Sequence, residues 1–197
     1  MAAVTTIVAA IVLLSGDLGQ STGMAGFIPA LASGGLLGGS PIPVWLTPLT
    51  STLLHGSAIH LLFNMVMLVY CGRETERALG SGGLAVLYLV GAYAAAAGQW
   101  AQDPASPVPT IGASGAIAAI IAAYALLYGR NRARRMGPLS ASLLHALWLG
   151  VAWTVINLMF NLAMLTDQPV AVGAHIGGFL AGLLLTRPIL LWHYRHA

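Results

Sequence analysis

Charge is scarce in this sequence: eight basic and five acidic residues make up only 7% of 197, where a soluble domain carries about 25%. That scarcity excludes the surface of a water-soluble globule. Lysine is missing altogether, all eight basic residues being arginine. A single cysteine, Cys71, excludes an internal disulfide framework. There is no HExxH motif, and no nucleotide-binding or other cofactor motif is present.

What fills the chain instead is apolar: 58% of residues are hydrophobic and the mean hydropathy is +0.84. The solvent for such a chain is largely lipid, where only helices or closed barrels satisfy the backbone. The apolar runs are long and continuous rather than alternating, which selects helices. Six spans are expected, near 2–16, 53–70, 83–100, 112–129, 139–165 and 170–193, in one domain over residues 1–197. Between them lie the breakers "SGDLGQSTG", "GRETERALGSGG", "QDPASPVPT", "GRNRARRMGP" and "TDQP". An 18-residue span covers roughly 27 Å, close to the hydrocarbon thickness. The first span is short and lacks a basic leader, so a signal peptide fits it poorly. No internal repeat is evident.

The arginines then orient the bundle. Arg73, Arg77, Arg130, Arg132, Arg134, Arg135, Arg187 and Arg195 fall in the second and fourth loops and at the C-terminal end. Asp17, Asp103 and Asp167 occupy the other three loops, without arginine. The positive-inside rule therefore puts both termini in the cytoplasm. The sequence pI near 9.4 is a topology signal, not a nucleic-acid footprint.

Polar side chains inside a bilayer are costly and are functional candidates by default. Three sets occur here. "GASG", Gly112 to Gly115, opens the fourth span, so Ser114 lies in a first turn whose N–H groups are unpaired and whose dipole favours negative charge. Alone, this serine reads as a cap or a packing residue. "AHIGGFLAG" carries His175, Gly178 and Gly182 on one face of the last span. Small residues at Ser114, Ala118 and Ala122 offer a matching stripe, and two such faces pack closely. At matched depth, Ser114 and His175 come within plausible hydrogen-bond reach, the requirement for a serine activated by a base. "HLLFN" places His60 and Asn64 one turn apart, where they could donate to an oxyanion. His55, His60 and His175 could instead gather zinc, but no carboxylate stands on that side. Asp167 lies roughly 12 Å before His175 if the segment is helical, so a Ser-His dyad is expected rather than a triad.

These three motifs, "HLLFN", "GASG" and "AHIGGFLAG", resemble those of the rhomboid intramembrane serine proteases in order and spacing, and "GRETERALGSGG" looks like the loop after their second span. The resemblance covers about residues 45–185. It implies an all-α, six-helix membrane bundle with Ser114 as nucleophile and His175 as general base. The oxyanion hole would use the Ser114 backbone N–H with His60 and Asn64. Glu76 would match a structural acid at the cytoplasmic end of the second span. Substrates would be single-span membrane proteins cut near the outer face. The partners expected are thus such substrates and the lipid bilayer, with no metal, cofactor or nucleic acid. The expected location is a bacterial inner (plasma) membrane.

Two departures stand out. Many rhomboids have an aromatic residue four positions after the serine, against which the histidine stacks; here it is Ala118, leaving Phe179 or Tyr124 to support the ring. Family members often carry Trp-Arg in the first outer loop, whereas "VWLTPLT" has Trp45 and no arginine. Two other functions compete with proteolysis. A pseudoprotease of the same fold would bind membrane proteins without cutting them, yet such proteins usually lack the serine or the histidine. A small transporter would relay protons through the histidines, but the spans hold no acid and no inverted repeat.

Overall fold

The computed structural model describes residues 1–35, 41–129, 140–162 and 170–195. Its helices are α1 (Ala2–Ser15), α2 (Leu18–Ala25), α3 (Pro29–Ala32), α4 (Thr47–Thr50), α5 (Ala58–Gln102), α6 (Ser114–Tyr128), α7 (Ala141–Leu162) and α8 (Val172–His193). Among the described residues there is no strand, only an isolated bridge pairing Phe27 with Thr110. Among the described residues three helices are long and apolar enough to cross a membrane: α5, α8 and residues Ala141–Met159 of α7. α1 and α6 are shorter apolar helices. The expected loop "TDQP", with Asp167, and all of "GRNRARRMGP" but Gly129 lie outside the described residues.

Two segments expected to be breakers are helical. In "SGDLGQSTG", α2 forms because nothing from Leu18 onward forbids it: proline is absent, and the Thr22 hydroxyl donates to the Gly19 carbonyl at 2.9 Å. In "GRETERALGSGG", the helix formers Glu, Arg, Ala and Leu carry the turn on, joined by an ion pair between Glu74 and Arg77. The second and third spans are therefore one run of helix, α5, broken only at Gly80, with φ 73° and ψ 164°. Glycine adopts that backbone without strain. A Cβ there would also lie 2.7 Å from His193 Cε1 on α8. Glu76 sits beside this break and accepts from the Ser81 hydroxyl at 2.6 Å.

The chain doubles back at Gly80, so both ends of α5 reach the same end of the bundle. His60, near its start, lies over Gly112, and Ala95, near its finish, meets Gly115. α6 fills the centre. Every residue from Ser114 to Ala123 is buried, most of them alanine or isoleucine. Lipid is as apolar as leucine, so helices in a membrane associate through close van der Waals approach rather than hydrophobic expulsion. Glycine and alanine supply that approach. A Cβ on Gly178 would overlap the Gly115 carbonyl, one on Gly182 the Ala119 carbonyl, and one on Gly177 the Ala94 carbonyl. On the other flank, a Cβ on Gly91 would stand 2.8 Å from that of Ala119.

The closest backbone approach of α6 to α8 runs along Gly115 and Ala119, one position from the expected stripe of Ser114, Ala118 and Ala122, of which Ser114 itself reaches His175. Each residue turns about 100° round a helix, so the difference of one position has a physical sense. Backbones meet along Gly115 and Ala119, while Ser114 stands at the rim, free to reach sideways.

The polar end is tied together by loops. Phe27 and Thr110 exchange backbone bonds of 3.0 and 2.7 Å, and Ala30 N–H donates to the Ser106 carbonyl at 3.0 Å. The first loop holds without the missing arginine. Tyr93 donates its hydroxyl to the Trp45 carbonyl at 3.0 Å, and Trp100 donates its indole N–H to Ser33 at 2.8 Å.

Candidate active site

Ser114 opens α6 and His175 lies in the first turn of α8. The Gly178–Gly115 contact sets these helices close enough for the two side chains to meet. Ser114 Oγ and His175 Nε2 are 2.9 Å apart, both residues buried. His175 Nδ1 has no partner among the described residues, so no described carboxylate orients the ring. Among the described residues serine and imidazole form a hydrogen-bonded pair; Asp167 lies outside them.

The first intrahelical bond of α6 runs from Ile117 N–H to the Ala113 carbonyl at 2.9 Å. The N–H groups of Ser114 to Ala116 precede it, in the turn a helix leaves without partners of its own. Gly112 prepares this turn with φ 108° and an N–H donated to the Ser51 carbonyl at 2.9 Å. His60 fills the space above it: a Cβ on Gly112 would lie 2.9 Å from His60 Nε2. Gly112 thus satisfies two demands at once, a left-handed backbone and room for an imidazole.

His60, Ser114 and His175 line one cavity of about 220 Å³, together with Gln99, Gln102 and Asn157. Asn64 is wholly buried one turn further along α5 and donates its amide to the His60 backbone carbonyl at 2.9 Å. It stands behind His60 rather than on the cavity wall. His55 is also fully buried and packs edge-on against His60, ring centroids 5.0 Å apart. Among the described residues no three His, Cys, Asp or Glu side chains gather as a metal-binding group.

Two residues of the site escape a motif search. The carbonyl oxygens of the Gln102 and Gln99 side chains accept from Gly173 N–H at 2.7 Å and Ala174 N–H at 3.3 Å. They satisfy the open first turn of α8 directly before His175. Their signal in the sequence was two amides, three residues apart, ending an apolar span. Replacing Gln102 with leucine strands the Gly173 N–H, at a cost of about 1–3 kcal/mol for a buried unsatisfied donor. Thermal unfolding in detergent should register that loss. If the chain cleaves peptides as proposed below, its turnover should fall about tenfold as α8 shifts, the Michaelis constant changing less.

A family model described as the Rhomboid domain matches residues 43–192. The chain is 32% identical over 145 residues to the rhomboid protease GluP of Bacillus subtilis (strain 168), covering 73% of this chain and 27% of that protein. It is 32% identical over 145 residues to the rhomboid protease GlpG of Serratia proteamaculans (strain 568), covering 73% and 46%. With GlpG of Photorhabdus laumondii the identity is 32% over 148 residues, 75% of this chain and 47% of that protein. The chain thus spans less than half the length of these relatives. The matched stretch contains His60, Asn64, Ser114 and His175, and this chain, an all-α integral membrane protein, belongs to the rhomboid family.

Proposed function

We propose that this chain is an intramembrane serine endopeptidase that hydrolyses single-span membrane proteins near the outer membrane face. The observation that carries this is the 2.9 Å approach of Ser114 Oγ to His175 Nε2 beside a polar cavity. Ser114 Oγ attacks the scissile carbonyl carbon as its proton passes to His175 Nε2. The new oxyanion is met by the Ser114 N–H at the start of α6 and by His60, while Asn64, expected as a further donor, bonds the His60 carbonyl from behind the cavity wall. His175 then gives the proton to the leaving amine. Water repeats the sequence on the acyl-enzyme, releasing the second fragment and restoring the hydroxyl. No metal or cofactor is called for.

The same reading extends to the whole chain: one domain of six spans over residues 1–197, both termini cytoplasmic, in a bacterial plasma membrane. Gly112, Gly115, Gly178 and Gly182 serve as packing positions and Glu76 as the acid that ties the inner turn. Helical amides are shielded from attack by their own hydrogen bonds. Substrates should therefore carry Gly, Pro or other small residues near the cut, with a small residue on its N-terminal side. A pseudoprotease would have no use for an aligned serine and imidazole.

A fluorophosphonate probe tests the nucleophile directly. The purified protein in detergent should take one adduct, and peptide mass spectrometry should place it on Ser114. A chain that cuts no reporter span and takes no label would return the function to a membrane-protein binder. Proton-coupled flux into liposomes would instead favour a transporter.

A further inference from the structure

A general base that lacks a carboxylate partner must have its ring held by something else. The Ser114 contact fixes one atom of the His175 imidazole, and Nδ1 has no bond among the described residues. Beside the ring lies open space: an apolar cavity of about 380 Å³, bordered by Ala118, Gly150, Trp153, His175 and Phe179. An imidazole free to turn into that space would leave the serine. Ala118 adds only a methyl group to the wall. Phe179, one turn beyond His175, directs its ring at α7, where a Cβ on Gly150 would lie 2.8 Å from its Cε2. Tyr124 pairs with Tyr70 and Tyr128, at centroid distances of 5.9 and 5.3 Å. The ring that does reach the imidazole is Trp153 of α7, centroids 6.1 Å apart and planes at 46°. That distance is within the range at which aromatic rings attract. Trp153 is 3% exposed and is itself stacked on Phe63 of α5, 5.5 Å away at 11°.

We propose that Trp153 is a positioning residue for His175: its indole, braced by Phe63, blocks the turn into the cavity and keeps Nε2 aimed at Ser114. The inference rests on the Ser114–His175 reading above, and it places the support for the base on α7 rather than on α6 or α8. It is separable from a simple packing role, because an acylating probe small enough to enter from water reports the dyad without a transmembrane substrate.

The test compares Trp153→Phe with Trp153→Leu in the full chain, measuring the rate of fluorophosphonate acylation and the kcat and KM for a reporter span. Trp153→Phe keeps a flat ring and should stay within about threefold of wild type. Trp153→Leu keeps apolar bulk without the ring, and should lose about tenfold in acylation rate and kcat, with KM nearly unchanged. Should the leucine variant fail to fold, Trp153→Met takes its place. Acylation at the wild-type rate in the leucine or methionine variant would overturn the inference. So would an equal loss in the phenylalanine variant, or a change confined to KM. A wild-type chain that takes no label at all would remove the dyad reading itself, and this inference with it.

Discussion

Ser114→Ala should abolish cleavage of a reporter transmembrane substrate, lowering turnover on the order of 10⁴-fold or more, and His175→Ala should do nearly the same. Nucleophile and base work as a unit, so the double variant should be no slower than either single one. Additive losses would mean that the two groups act in separate steps. Stability should change far less, because alanine removes only the hydroxyl and its hydrogen bond to His175. Loss of one buried hydrogen bond costs about 1 kcal/mol. Unfolding curves that overlay wild type, together with lost cleavage, would assign the effect to chemistry. Cleavage that persists in both single variants would end the proteolytic account.

Gly178→Val should be as damaging for a different reason. Even a Cβ at this position overlaps the Gly115 carbonyl, and the neighbouring backbone cannot rotate away as a side chain would. The helices must part, carrying His175 from Ser114. Misplacement of reacting groups by 1 Å can cost about 100-fold in rate, and overpacking commonly costs about 1–3 kcal/mol. Both activity and thermal stability should therefore fall together, unlike the Ser114 variant. Gly23→Ala in α2 is the matched control: nothing lies within 4 Å of its Cβ position, so neither property should move.

The sequence displayed its helices plainly, because length and unbroken apolarity leave lipid few alternatives. It also displayed Ser114 and His175 as candidates, since a hydroxyl and an imidazole that each read alone as capping or packing gain another reading at matched depth on two small-residue faces. Register was harder. Ser114, Ala118 and Ala122 form as good a small-residue stripe as Gly115 and Ala119, and only the backbones of both helices together choose between them. Gly80 illustrates a similar limit: whether a charged stretch is loop or helix depends on what packs at its end, here His193. Trp153 was one of three aromatic residues on the apolar α7, and nothing local to it points to an imidazole on α8. Gln99 and Gln102 were visible as polar side chains out of place, but their partners are N–H groups some seventy residues away.

The brevity of α6 has an effect on how the bilayer is shaped inside the protein. Its 15 residues rise only about 22 Å, against hydrocarbon about 30 Å thick. A helix bathed in lipid would have to pull the membrane thinner to match. This one is sheathed by its neighbours, so on the proposed reading the shortfall of several ångströms becomes a well instead, formed by the cavity that Ser114 lines. The hydrolysis proposed for this chain would then need no channel across the membrane, only a helix shorter than the hydrocarbon is thick.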